Sequence, residues 1–286
     1  MALRCGTHSG SFHADDVLAF GLIRTFEDPD AVVVRTRDLE VLDTCDVVFD
    51  VGGIYDPERG RFDHHQNEYQ GPLSSAGMVL EWLEGRARIE PELALRLRRE
   101  LVDYVDAVDN GRHSPDGRIP CFTSIVGTMN NELDDGSGHD ERYAEAADIA
   151  TRYLRGIAAG HRADAAARET VRQAMEEAAA AGRRTIYLDA YVPWKPAYFD
   201  LGGRDHPTEF VMFPAEDSWR VIAIPPELGS FAKKVPFPES WAGLSDAELE
   251  AATGVEGSRF CHKNRFIAVF ETREGALEAM ARAGLG

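Results

Sequence analysis

The chain has 286 residues, 44% of them hydrophobic and 28% charged, which is the balance of a globular protein with room for two domains of ordinary size. A formal net charge of −18 argues against a general nucleic-acid coat, because such coats bind mainly through Lys and Arg, yet it suits an enzyme that offsets its acids locally with bound cations. No apolar run approaches the roughly 18 to 20 residues of a membrane span, and the opening MALRCGTH lacks the pattern of a secretory signal, so a soluble, cytoplasmic chain without a membrane partner is expected.

In chain order, Leu3 to Thr7 reads as a short strand, and Asp15 or Asp16 is placed to cap a helix running through Val17, Leu18, Phe20, Gly21 and Ile23. Ala31 to Arg35 and Asp46 to Phe49 are β-branched runs of strand length, separated by DLEVLD, which has room for a turn or two of helix. Asp50 ends the second run. Turn residues Gly52, Gly53, Asp56, Pro57 and Gly60 then leave Ile54, Tyr55 and Arg61 to Asp63 for a small hairpin. Helical patterns cover Ser74 to Glu84 and Pro91 to Val108, and Asp109-Asn110-Gly111 stops the second.

Residues 131–141 carry five acids and read as a solvated loop, followed by one or two long alanine-rich helices from Glu141 to Ala181. After Gly182 come short strands, Thr185 to Leu188, Phe210 to Phe213, Arg220 to Ile224 and Phe266 to Phe270, with prolines between them. The expected fold class is therefore α/β. A parallel-sheet domain with flanking helices takes residues 1–135, a helical connector 136–182, and a smaller α+β domain with a mostly antiparallel sheet 183–286. Cysteines 5, 45, 121 and 261 are too scattered for a CxxC site and read as reduced, buried thiols.

Four of the nine histidines, His8, His13, His64 and His65, lie in the first 65 residues. Their placement carries more than their number. His8 follows a strand, His13 and Asp15 lead into a helix, Asp50 ends another strand, Asp63-His64-His65 leaves the hairpin, and Asp109 ends a helix able to pack on the same edge. The carboxyl ends of parallel strands open into one crevice, so these side chains are expected to converge. Imidazoles and carboxylates without thiolates suit manganese, and also iron, cobalt or zinc, with magnesium preferring fewer histidines. Two ions roughly 3.5 to 4 Å apart, bridged by one carboxylate, hold a hydroxide at neutral pH and clamp both oxygens of a phosphoryl displacement.

The segments THSGSFHADD, DVGGIYDPERGRFDHHQ, LSSAG and VDAVDNG resemble, in order and spacing, the motifs of the DHH phosphoesterase superfamily, specifically its melanocyte-proliferating-gene branch. The resemblance runs through residues 7–111 and resumes weakly at WRVIAIP, KVPFPESWAGL and FCHKNRF. It implies a DHH-type metal-binding domain followed by a substrate-binding domain, with the active site in the cleft between them. It also implies His8, His13 and Asp50 as ligands of one manganese, and Asp15, Asp50, His64 and Asp109 as ligands of a second, with Asp50 bridging. His65 would face the scissile phosphate, and Asp63 would orient a histidine. The activity implied is a 3′ to 5′ exonuclease or oligoribonuclease acting on short single-stranded RNA, with magnesium, cobalt or zinc as alternative cations.

Three positions depart from the family pattern. Asn67-Glu68 stands where a basic residue is common, Phe266-Ile267-Ala268-Val269 where a glycine-rich entry is expected, and Asp16 where glutamate is usual. In the second domain His262, Lys263 and Arg265 are the candidate phosphate contacts, ahead of Lys233 and Lys234. Trp194, Trp219 and Trp241 are expected in the core rather than stacked on bases. A small-molecule phosphatase or pyrophosphatase, and a non-catalytic metal-binding protein, are the competing readings.

Overall fold

Short β-branched runs alternating with helical ones leave a parallel sheet as the economical way to bury both faces. The computed structural model describes residues 2–130 and 137–286, so residues 131–136 of the expected acidic loop, with the domain boundary expected at 135, lie outside the described residues. Contacts divide the chain into two compact units, Met1–Ala159 and Gly160–Gly286.

In the first unit β1 (Arg4–Thr7) leads through α1 (Ala14–Phe26) to β2 (Val32–Arg35), and through the short α2 (Leu39–Leu42) to β3 (Val47–Phe49). The hairpin β4 (Tyr55–Asp56) and β5 (Arg61–Phe62) completes a sheet of order β2-β1-β3-β5-β4, parallel except at β4. The hairpin is therefore not an appendage: β5 pairs with β3, Phe49 opposite Phe62, and this register carries the residues after β5 to the same edge as Asp50. Helices α3 (Ser75–Gly85), α4 (Pro91–Leu97), α5 (Asp103–Asp109) and α6 (Phe122–Asn130) follow, with the π-helical stretch Arg98–Val102 joining α4 to α5. Sequence reading leaves α6 out, since its nine residues bury only Val126.

Helix α1 is buried from Ala14 to Ile23 and lies in the middle of the core with Phe49, Phe62, Leu80, Leu97 and Val105. Its apolar positions are covered on all sides, which is why its pattern is hydrophobic nearly all round. Gly21 allows a close approach: a Cβ there would stand 2.9 Å from the Cβ of Ala150. Ala150 belongs to α7 (His139–Ala180), a single helix of 42 residues whose Tyr143, Ala147 and Leu154 join this core.

In the second unit β6 (Thr185–Tyr187), α8 (Trp194–Asp200), β7 (Phe210–Ala215), β8 (Ser218–Ala223), α9 (Asp246–Thr253), β9 (Ser258–Cys261), β10 (Ile267–Phe270) and α10 (Arg273–Arg282) build a sheet of order β6-β7-β8-β10-β9. It is antiparallel except for the β6–β7 pair. Alternation along β7 divides two apolar layers. Phe210 and Met212 pack with Trp241, Leu249 and Met280, whereas Val211 and Phe213 pack with Trp194, Tyr198 and Val171. Trp194 and Trp241 are buried and Trp219 packs against the first layer, so all three are structural, as expected. Cys5, Cys45 and Cys261 are buried free thiols, while Cys121 is half-buried. Among the described residues no helix is long and apolar enough to cross a membrane.

Candidate metal centre

Parallel strands deliver their carboxyl ends to one edge, and here that edge collects the acids and imidazoles. His8 follows β1, Asp50 follows β3, and Asp63, His64 and His65 follow β5. Helix α1 adds His13, Asp15 and Asp16 from its N-terminus, and α5 adds Asp109 from its last turn. Ligand atoms of His8, His13 and Asp50 lie within 4.8 Å of one another, as do those of Asp50, His64 and His65, of His13, Asp15 and Asp109, and of Asp15, Asp16 and Asp50.

Asp50 stands at the centre. Its Oδ2 lies 3.1 Å from His8 Nε2, and its Oδ1 lies 3.5 Å from both His64 Nε2 and His65 Nδ1. Its two oxygens thus face different imidazoles. The residue adopts φ 57°, a left-handed conformation that costs a non-glycine side chain on the order of 1 kcal/mol or more and turns the carboxylate off the strand end. His64 Nε2 also approaches Asp109 Oδ2 at 3.2 Å and Asp15 Oδ2 at 3.6 Å, and His8 Nε2 approaches Asp16 Oδ2 at 3.5 Å.

These groups are buried and under-satisfied. Both oxygens of Asp15 and of Asp50, Oδ2 of Asp16 and Nε2 of His64 are shielded from solvent without an aligned hydrogen-bond partner. Burial, then the charges of Asp50, Asp109 and Asp16, drives the Asp15 carboxyl well above its ordinary range. Burial followed by the Asp50 charge pushes Asp16 up to about 7. Asp50 is also raised by burial, but the His64 and His8 rings facing it prevail and hold it at about 2. Burial lowers His8 and His64, and their carboxylate neighbours more than reverse it. Three buried acids therefore compete for too little positive charge, an arrangement stable only if it stays protonated or takes up cations. The donor set and its unpartnered lone pairs fit divalent ions.

Asp63 sits just behind this cluster. Its Oδ1 lies 2.8 Å from His65 Nδ1 and accepts the His65 backbone N–H, while Oδ2 accepts the N–H of Gly53 at 2.6 Å. The His65 ring is thereby fixed although its side chain is 62% exposed.

Two further acids matter, and both differ from the sequence reading. Asp16 is not the cap of α1: the cap is His13, and Asp16 Oδ1 reaches back to accept the His13 N–H at 2.9 Å, leaving Oδ2 to face His8. The signal available was the spacing of three between cap and acid, the capping-box interval. Asp106 carries no local mark in the sequence. Its Oδ1 accepts from Ser74 N, Ser74 Oγ and Gly77 N, an anion at the start of α3, as helix N-termini favour. A Cβ on Gly77 would fall 2.2 Å from Asp106 Oδ2, so the glycine of the SSAG segment makes room for this clamp. The clamp ties α5, which carries Asp109, to α3.

The other expected site residues lie in the second unit, on the turn between β9 and β10. His262 Nδ1 accepts the Asn264 N–H at 3.0 Å and its ring lies 4.6 Å from that of Phe266, while Arg265 donates to the Phe237 carbonyl at 3.3 Å. Lys263 is exposed. Of the lysine pair, Lys234 is structural: Nζ donates to Gly203 O at 2.6 Å, His206 O at 2.8 Å and the Tyr198 hydroxyl at 3.0 Å.

Buried acids and imidazoles at the carboxyl edge of a parallel sheet, with no Lys or Arg in ion-pair contact among the described residues, define a metal-dependent hydrolase. The chain belongs to the MYG1 family, described as uncharacterised protein family (UPF0160), which it matches over residues 4–285. It is 40% identical to the MYG1 protein of Chlamydia trachomatis serovar D, covering 96% of this chain and 94% of that one. It is 33% identical to the human protein named MYG1 exonuclease, covering 99% and 85% of the two chains. The solved structure of RecJ from Thermus thermophilus in complex with Mn2+ aligns over 99% of this chain and 52% of that one, at 16% identity and a TM-score of 0.28, too loose an overlap to carry an argument.

Proposed function

We propose that the protein is a phosphodiesterase that removes nucleotides in the 3′ to 5′ direction from short single-stranded RNA in the cytoplasm, using two divalent cations, manganese foremost. The observation that carries this reading is the set of buried oxygens, both of Asp15, both of Asp50 and Oδ2 of Asp16, that face one another and several imidazoles without an aligned hydrogen-bond donor. Cleavage from an end follows the name of the human relative, and RNA and polarity follow the resemblance of the motifs.

On this reading His8, His13 and Asp50 would hold one cation, and Asp15, Asp50, His64 and Asp109 the other, Asp50 being common to both sets with its two oxygens toward different imidazoles. Bound there, divalent cations supply Lewis acidity, neutralise phosphoryl charge and make water nucleophilic near neutral pH. The side chains do the rest. Asp63 holds His65 by Nδ1, which leaves Nε2 to donate, when protonated, to a non-bridging phosphoryl oxygen. Asp16 steadies the His13 backbone, and His262, Lys263 and Arg265 are the proposed contacts to the distal phosphates. Manganese-loaded protein should shorten end-labelled RNA oligonucleotides stepwise from the 3′ end, and Asp50→Asn should abolish this. A fully loaded wild type that leaves RNA, DNA and dinucleotides intact would defeat the proposal.

A further inference from the structure

The second unit contains a cavity of about 550 Å³ that no role so far described uses. Its walls come from the start of α8, the end of β8, the loop after it and the β9–β10 turn, and the side chains that matter are Lys195, Lys233, Phe231, Phe266, Asn264 and Ser230. No Asp or Glu lines it, although the chain carries 49 acids against 31 Lys and Arg. Among the described residues neither Lys195 nor Lys233 has a carboxylate within ion-pair distance, whereas Arg168, Arg184, Arg204, Arg259 and Arg282 of this unit do. Phe231 is 95% exposed, the most open of the large apolar side chains, and Phe266 is 37% exposed with the His262 ring 4.6 Å away. The aromatic rings and the unneutralised cations are therefore together, with no acid beside them.

We infer that this groove is a binding site for a nucleotide unit of a single-stranded oligonucleotide, its phosphates on Lys195 and Lys233 and a base against Phe231 and Phe266. Single strands without regular structure are held in this way, by cations that follow the backbone and aromatic faces that take any base. The polar Asn264 and Ser230 side chains at the rim supply hydrogen bonds to sugar or base edge. The inference rests on the nucleic-acid reading of the metal centre and supplies a grip for its substrate.

The test is a titration of a fluorescein-labelled eight-nucleotide oligoadenylate against the full-length protein in EDTA, so that no turnover occurs, at several salt concentrations. Lys195→Ala/Lys233→Ala should lower the slope of log K against log salt by about 1.4, the counterions of two phosphates on a single strand. Phe231→Ala should weaken binding by roughly tenfold, and this loss should vanish with an abasic ribose-phosphate oligomer of equal length. The substituted side chains line an open cavity and Phe231 is nearly all in solvent, so unchanged melting temperatures serve as the check on folding. An unaltered slope and affinity in the lysine variant would overturn the inference, as would a Phe231→Ala loss of the same size on the abasic strand or a wild type that binds neither strand. Binding in EDTA without cleavage in manganese would defeat the proposed activity and leave the groove standing. Cleavage by a wild type whose lysine variant binds unchanged would do the reverse.

Discussion

The acids at the edge of the first sheet are buried and Lys234 in the second unit is half-buried, and the protein treats these charges oppositely. Lys234 donates to Gly203, His206 and Tyr198 oxygens, its positive charge fully used inside the fold. Asp15 and Asp50 have no aligned donor for any of their four oxygens. A charge that is satisfied internally holds structure, whereas one left unsatisfied against its own solvation is kept for something that arrives later.

Deleting each kind of charge should therefore have opposite signs, and the larger effect belongs to the satisfied one. Lys234→Ala strands several carbonyl oxygens and should cost about 2 to 4 kcal/mol in chemical denaturation, with no dependence on manganese. Asp15→Asn should do the contrary in metal-free protein: removing a buried acid among acids should raise stability by about 1 kcal/mol, and the rise in melting temperature on adding manganese should shrink. If Asp15→Asn destabilises the metal-free protein as Lys234→Ala does, the contrast between the two regions is broken.

Asp106 lies between these extremes, with Oδ1 accepting three bonds and Oδ2 buried and unpartnered. Burial outweighs its donors and raises its carboxyl above the ordinary range. Because the folded value is raised, its stabilising share is complete below the unfolded value and is lost as pH rises through the folded one. The advantage of wild type over Asp106→Asn should thus fall, modestly, as pH climbs out of the acid range. An advantage that grows with pH would mean that the α3 N-terminus dominates instead.

Much of this was legible in the chain itself, and for a definite reason. Strand ends in a parallel sheet share an edge, so His8, Asp50 and His64 could be placed together from local pattern alone, and the two sheets follow from the change in strand character after Gly182. What stayed hidden depends on contacts distant in sequence. Asp106 meets Ser74 across 32 residues, and nothing local distinguishes it from a solvated helical acid. Lys233 and Lys234 are neighbours with different fates, one without a carboxylate partner beside Phe231 and the other locked to carbonyls of Gly203 and His206, contacts some thirty residues away in sequence. The short helices α6 and α8 offer too few turns to show a period. Asp16 reads locally as a helix-start residue, since its second oxygen finds His8 solely through the fold.

The central claim is that the unpartnered acids and imidazoles around Asp50 are a cradle for cations, and counting the cations tests it most directly. Protein stripped with chelator, dialysed against manganese and passed through a desalting column should retain two ions per chain by elemental analysis, and Asp50→Asn one or none. A wild type that emerges folded and metal-free, or an Asp50→Asn variant that keeps the full complement, would contradict it.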